Sequence, residues 1–459
     1  MIIFMDSRFL SHNAHLEDPE HFAELDPQLR RLRLQKYIWV PALLEQLPID
    51  VPGIYTLGGG RQIGKTTLLK QWMEKLLRLG IPPTAIAFFS GELIDNQHTL
   101  VHLLQNWLST TSNQILRYVL LDEVTYIQHW DKGIKFAADA GWLDNVELIL
   151  TGSDLILMQE ARMRFPGRRG KAETVNFHLF PLSFRESVIL KHGNIREAKA
   201  DSGNNRYSDV FVDLLFDEFN MYLMHGGFLT AINDIALHGR ILEATLMTYS
   251  DWIRGDMLKR GKQEHYLREI LDAIVKRYGS QVTWNALAQD LSIDHPKTVA
   301  DYTALLESMD AVFVQHALLE DKLVAAPKKG KKIMFADPFI FHAINTWLHP
   351  VKNPFEAQIK SGIDDPIFSS KLVESCVATH YHRFYPTYYI KAEGEIDVAY
   401  VHNNRFWPVE IKWTNQLRTK DLKQIAKYPN GRILTKTKQA GVIQSIKSGP
   451  LPLALWEIQ

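Results

Sequence analysis

The most constraining feature of the 459-residue chain is the octapeptide Gly59-Gly60-Arg61-Gln62-Ile63-Gly64-Lys65-Thr66, which joins the apolar run GIYTLG to the helical pattern TLLKQWMEKLLRLG. Strand, glycine loop and helix in that order fit the pattern GxxxxGK(S/T). The glycines let the backbone curl until its N–H groups converge, and the helix N-terminus favours negative charge. The stretch Gly59, Gly60, Arg61, Gln62, Ile63, Gly64, Lys65, Thr66 and Thr67 therefore predicts a cradle for the phosphates of ATP, with Lys65 reaching the β- and γ-phosphates and Thr66 ligating Mg2+. Such a loop also needs a sheet. Short apolar runs recur at 85–90, 118–123, 146–154 and 175–180 with helical patterns between most of them. Continuous apolar strands alternating with helices predict an α/β core whose parallel sheet is covered on both faces. Upstream, residues 27–46 read as one amphipathic helix.

A phosphate site of this kind requires a carboxylate at the end of a neighbouring strand, and Val119-Leu120-Leu121-Asp122-Glu123 supplies two acids after an apolar run. Asp122 suits the metal. Glu123 is placed to deprotonate an attacking water, which favours hydrolysis over mere nucleotide holding. At the end of the next strand, Thr151 and Ser153 either sense the γ-phosphate or cap the following helix. Arg162, Arg164, Arg168, Arg169 and Lys171 form a basic run that is either a solvated loop or the source of an arginine acting in trans, which would require a homo-oligomer.

Composition narrows the setting. Lysine plus arginine and aspartate plus glutamate both number 52, so bulk charge does not hold nucleic acid, and any such site is a local patch. The single cysteine, Cys376, forms no intrachain disulfide, and the N-terminal stretch lacks the basic start and apolar run of a secretory signal. No apolar run reaches the length of a membrane-spanning helix, so a cytoplasmic protein without membrane attachment is expected.

Polar sequence around 191–207 marks a first boundary, and from 210 to about 310 the pattern is helical. Residues 283–316 read as helix, turn, helix and strand, the order of a helix-turn-helix with a wing. Its second helix carries Asp301, Glu307 and Asp310 against Lys297, which opposes phosphate binding and favours a structural or coupling role. The Lys-rich PKKGKK at 327–332 reads as a solvated turn or wing, with Lys328, Lys329, Lys331 and Lys332 able to touch a phosphate backbone.

The C-terminal part carries a second constellation. The strands containing Glu395-Ile396-Asp397-Val398 and Val409-Glu410-Ile411-Lys412 place Glu410 and Lys412 on one face, as period-two geometry demands. A two-residue turn at Asn403-Asn404 sets Asp397 opposite Glu410 and Glu395 opposite Lys412. Facing carboxylates repel unless a cation neutralises them, and a divalent ion does so while preparing a hydrolytic water. Glu374 on the preceding helix could complete that metal site with Asp397 and Glu410, and Lys412 could stabilise charge on a phosphate. Gln424 and Tyr428 give QxxxY on a following helix at 417–428. Between 405 and 438 nine Lys or Arg face only Glu410 and Asp421, a patch suited to a nucleic-acid backbone.

The segments GGGRQIGKTTLL, LLDEV, LILTGSD, FPGR, FPLSFRE and YLMHGGF together resemble the AAA-type ATPases of bacteria and archaea that carry a nuclease-like C-terminal domain. The succession Glu374, Asp397, Glu410-x-Lys412, QxxxY resembles RecB-like members of the PD-(D/E)xK nucleases. The chain departs from the first family at Gly60 and Leu229, where proline is common. The resemblance implies an additional-strand P-loop core with Lys65 and Thr66 on nucleotide, Asp122 on Mg2+, Glu123 as catalytic base and Ser153 as sensor. Within the basic run Arg168, in the FPGR segment, is one candidate for an arginine finger, and which arginine serves stays open. The expected organisation is an ATPase core at 1–200, a helical and winged-helix-like part at 201–335, and an α/β restriction-endonuclease-like domain at 336–459 using Mg2+ or Mn2+ with Asp397, Glu410 and Lys412. The alternative is a nucleotide-driven switch whose C-terminal domain binds a partner or nucleic acid, DNA or RNA, without cutting.

Overall fold

The computed structural model describes residues 5–112, 115–153, 172–193, 207–293, 295–414 and 422–458, with Met158 and Met163. It divides into two compact units, Met1–Phe180 and Pro181–Gln459, so that the expected boundaries at 200 and 335 both fall inside the second.

In the first unit, β1 (Gly53–Gly58), β2 (Ile86–Ser90), β3 (Arg117–Asp122), β4 (Val146–Gly152) and β5 (Asn176–His178) form a parallel sheet in the order β2-β3-β4-β1-β5. Both faces are covered. Tyr55, Leu57, Leu120 and Ile149 pack with Leu68, Leu69 and Trp72 of the Lys65–Arg78 helix. Ile54, Val119, Leu121, Leu148 and Leu150 pack on the other side with Leu100 and Leu104 of Gln97–Thr110 and Ile134 of Trp130–Asp139. This double covering is why the strands are continuous apolar runs. β4 is the additional strand, inserted between β1 and β3. Its register, Leu57 beside Thr151 and Leu121 beside Leu150, brings the carboxyl ends of three strands level, where open α/β sheets bind ligands.

The helix expected over 27–46 is not continuous. Asp26 caps it by accepting from the Gln28 and Leu29 amides, but it ends at Arg33, and only a single turn, Ala42–Glu45, follows Pro41. A proline at 41 removes a helical N–H and pushes the residue before it into extended conformation.

The second unit opens with helices Phe184–His192, Asp209–His225, Leu229–His238, Glu243–Lys259 and Glu264–Lys276. Strand β6 (Gln281–Val282), helices Trp284–Gln289 and Pro296–Ser308, β7 (Val312–His316), the short pair β8 (Leu318–Leu319) and β9 (Val324–Ala325), and β10 (Lys331–Phe335) follow. β10 lies between β6 and β7, antiparallel to both. That central position corrects the solvated reading of PKKGKK: Lys328 and Lys329 are exposed, whereas Lys331 and Lys332 are buried strand residues.

Helices Pro338–Leu348 and Pro366–Phe384 lead to a six-stranded mixed sheet. Its strands are β11 (Thr387–Lys391), β12 (Glu395–His402), β13 (Arg405–Lys412), β14 (Arg432–Thr435), β15 (Gly441–Ile443) and β16 (Ile446–Pro450), in the order β11-β12-β13-β14-β16-β15. Asn403 and Asn404 both take left-handed φ, 51° and 54°, as a two-residue hairpin turn requires. The register runs from His402 opposite Arg405 to Val398 opposite Val409, where the ladder stops.

Two of the recognisable motifs meet in a hydrogen-bonded knot. The Leu182 amide donates to the Gly227 carbonyl at 2.8 Å, and the Tyr222 hydroxyl donates to the Leu182 carbonyl at 2.7 Å. Buried Asp337 accepts from the Gly227 and Phe339 amides, each at 2.8 Å. Gly226 has φ 56°, and a Cβ there would run into the Asp337 carboxylate, so the pair of glycines is a requirement of close approach.

Candidate functional site

The phosphate loop follows directly from β1. Gly59 (φ 145°) and Gly64 (φ 98°) occupy backbone conformations that suit glycine, and a Cβ on Gly59 would strike the Leu179 carbonyl and Ile63. Lys65 is buried at the start of its helix, and its ammonium donates to the carbonyls of Gly59 (3.0 Å) and Gly60 (2.8 Å) while lying 3.5 Å from Glu123 Oε1. Arg61 donates to the Tyr126 hydroxyl at 2.8 Å. Gln62 takes the left-handed conformation (φ 60°), and Ile63 packs against the core below. Thr67 accepts from Gln28 at 2.9 Å, which ties the loop to the N-terminal segment.

Asp122 stands at the centre of this site. The Thr66 hydroxyl donates to its Oδ2 at 2.7 Å, and the Thr151 hydroxyl donates to its Oδ1. Burial, reinforced by the neighbouring Glu123 charge, raises the Asp122 pKa, while the two hydroxyl donors oppose the rise. Such a carboxylate gains most from a cation, and the pairing of Thr66 with Asp122 fits Mg2+. Glu123 is turned into left-handed backbone (φ 51°), and its amide donates to Thr151 at 2.9 Å. Thr151 therefore fixes both acids at once. Ser153 lies 3.4 Å from Glu123 Oε2. Arg168, with Arg162, Arg164, Arg169 and Lys171, falls outside the described residues.

The acids and Lys412 of the second centre come from three segments. Glu395 and Asp397 of β12 and Glu410 and Lys412 of β13 share one sheet face, and Glu374 reaches it from the Pro366–Phe384 helix. Carboxylate oxygens of Glu374, Glu395 and Asp397 lie within 4.8 Å of one another. Lys412 pairs with Glu410 Oε1 at 2.5 Å, and Asp397 Oδ2 accepts from the Ile411 amide at 2.8 Å. Burial followed by the Asp397 charge raises the pKa of both Glu374 and Glu410. Glu410 Oε2 is buried with no hydrogen-bond partner. Converging acids with an unsatisfied inward oxygen fit a divalent ion.

Three expectations need correction here. Neither Asp397 opposite Glu410 nor Glu395 opposite Lys412 is a rung of the β12–β13 ladder, which ends at Val398: the Asp397 carboxylate accepts from the Ile411 amide, and Glu395 pairs with Lys332. Lys332 is not a phosphate-contacting surface lysine, since it also binds Glu374 at 2.5 Å from a position 1% exposed. QxxxY serves neighbouring segments: Gln424 accepts from the Gly394 amide at 3.1 Å and Tyr428 donates to Glu320 at 3.1 Å. Among the described residues the expected helix there is the single turn Ile425–Lys427.

Sequence comparison agrees with the first centre. Residues 52–188 match the family model of an AAA domain. The matched stretch carries the phosphate loop and all five strands of the parallel sheet. Residues 216–350 match a domain of unknown function, DUF8612. An uncharacterized protein of Haemophilus influenzae is 24% identical over 273 residues, 56% of this chain and 61% of the relative, so the chain spans less than two thirds of it. An uncharacterized protein of Methanocaldococcus jannaschii is 24% identical over 352 residues, 73% of this chain and 69% of the relative. Among solved structures, the Walker-type ATPase of Pyrococcus abyssi is 16% identical with a TM-score of 0.42, covering 72% of this chain and 95% of that one. Among the described residues no helix is long and apolar enough to cross a membrane.

Proposed function

We propose that the chain hydrolyses ATP in its first unit and acts on nucleic acid through a metal-dependent acidic centre in its second. In the first unit, Lys65 would exchange the loop carbonyls for the β- and γ-phosphates, Thr66 and Asp122 would hold Mg2+, and Glu123 would take the proton of the attacking water. Thr151 keeps Asp122 and Glu123 in register through one hydroxyl. Mg2+ supplies charge neutralisation on the phosphates when bound.

In the second unit the carrying observation is the convergence of Glu374, Glu395 and Asp397, with Glu410 paired to Lys412 on the same face and Glu410 Oε2 unsatisfied. Asp397, Glu410 and Glu374 would hold Mg2+ or Mn2+, which would lower the pKa of a hydrolytic water. Lys412, paired with Glu410, would turn to a phosphate oxygen, and the basic run around 405–438 supports a nucleic-acid backbone as substrate. Arg168 acting in trans from a second copy remains part of this proposal.

The test is purified protein with Mg2+ or Mn2+ and labelled single- and double-stranded DNA and RNA, with and without ATP. Metal-dependent cleavage supports the reading; ATP turnover without cleavage of any substrate overturns its second half. The alternative, a nucleotide-driven switch whose second unit binds without cutting, is favoured by Lys332, whose ammonium already neutralises Glu374 and Glu395. ATP-dependent partner binding in the absence of cleavage would support it.

A further inference from the structure

Lys332 is the middle member of a row laid across the small antiparallel sheet. β10 pairs it with Gln281 of β6 on one side and with Gln315 of β7 on the other. All three side chains are turned to the hairpin that carries the acids. The Gln281 amide donates to Glu395 Oε2. The Gln315 amide donates to the carbonyls of Tyr388 and Asp397, each at 3.0 Å. Between them, the Lys332 ammonium bonds Glu374 Oε1 and Glu395 Oε1. Burial works against its charge, but Glu374, Asp397 and Glu395 outweigh that effect and hold the ammonium above the usual lysine range.

The acids fall into two groups by partner. Glu374 and Glu395 share Lys332. Asp397 lies between the groups: its oxygens are within 4.8 Å of those of Glu374 and Glu395, its charge acts on Glu410, and Glu410 retains a buried oxygen without a hydrogen-bond partner. Four carboxylates around Lys332 and Lys412 leave the charge of one divalent ion uncompensated. Without Lys332 the excess would suit a second cation, as in hydrolases that clamp a phosphate between two metals.

We propose that Lys332 is a built-in cation filling one of two cation subsites in this cluster, so that the centre accepts a single divalent ion, between Asp397 and Glu410. The proposal rests on the metal-centre reading given above, yet it concerns stoichiometry rather than cleavage. The amines and amides of the row come from the middle sheet and the acids from the C-terminal helix and sheet. The centre is therefore complete only when both parts of the second unit are present.

The experiment is Mn2+ binding to the full chain without nucleotide, counted by electron paramagnetic resonance and equilibrium dialysis, in a D122N background so that ions at the phosphate loop are not counted. One Mn2+ per chain is expected, lost in D397N/E410Q. K332Q should bind two, and adding E395Q to it should return the number to one. Because removing a buried cation can destabilise the fold, the melting temperature is measured in parallel: saturating Mn2+ should raise it more in K332Q than in the parent. Two ions in the parent, none in the parent, or an unchanged count in K332Q would each overturn the proposal. The two readings fail separately. Correct counts without cleavage sink the nuclease assignment alone, whereas cleavage with a count indifferent to K332Q sinks the single-ion inference alone.

Discussion

The two centres use lysine in opposite ways. In the first unit Lys65 rests mainly on the carbonyls of its own loop, with one carboxylate, Glu123, at the longer distance of 3.5 Å, so it can exchange these contacts for phosphate oxygens. In the second, Lys332 is buried between two carboxylates, and losing it would strand their charge. The first centre is contiguous, one loop plus the ends of β3 and β4. The second gathers residues from β10, a helix and both arms of a hairpin. A contiguous site tolerates changes elsewhere in the fold, while a gathered one depends on every segment that frames it.

The largest effect that would sharpen this contrast is in the first unit. Lys65→Ala should abolish tight ATP binding, and Glu123→Gln should bind ATP but hydrolyse it at least roughly a hundredfold more slowly, read by nucleotide titration and phosphate release. Wild-type turnover in the glutamine variant would remove Glu123 from the role of base. Next, Asp397→Ala or Lys412→Ala should reduce nucleic-acid cleavage by about a hundredfold while ATP turnover stays near the parent rate. Loss of both activities together would break the division into two centres.

A smaller effect concerns support. Asp337→Ala removes the acceptor of two buried amides and should destabilise the second unit by about 2–3 kcal/mol in denaturant unfolding. An unchanged midpoint would show the knot to be dispensable.

The smallest effect separates the two sheets by pH. Glu147 of β4 is fully buried, and burial pushes its pKa up to about 9, opposed by the nearby Val51 backbone and helped by the charge of Asp50. Since the folded value lies above the ordinary 4.5, its contribution to stability is complete below about pH 4.5 and is lost as pH rises towards 9. Glu147→Gln should therefore stabilise the first unit more at pH 8 than at pH 5. A gain independent of pH would show that Glu147 does not bury its proton.

How much of each centre was legible in the sequence follows from the same contrast. Glycines at 59 and 64 and the acids at 122 and 123 sit next to the apolar runs that place them, so spacing alone was sufficient. The hairpin at Asn403-Asn404 was equally readable, because a two-residue turn fixes the register of both arms. What spacing could not show is where a ladder ends. Glu395 was assigned to Lys412 as though pairing continued past Val398, whereas the partner it takes is Lys332, far upstream. Lys332 itself was hidden by company: a lysine among PKKGKK reads as solvated, and only the central position of β10 makes it internal. Its one local sign is that it shares the period-two face of buried Met334.

The knot at Gly227 and Asp337 also bears on synthesis. Every strand of the first unit's sheet has been made once residue 178 is added. The second unit waits far longer. The Gly227 amide finds its acceptor 110 residues later, and the Phe184 amide is met by His380 only after 196 residues. At roughly 5–20 residues per second, an emerging chain passes about 10–40 s with its first unit able to close and the next helices still lacking their partners. During that interval Phe211, Leu215, Phe219 and Leu223, all buried in the finished fold, are the apolar surface that a nascent-chain chaperone would meet.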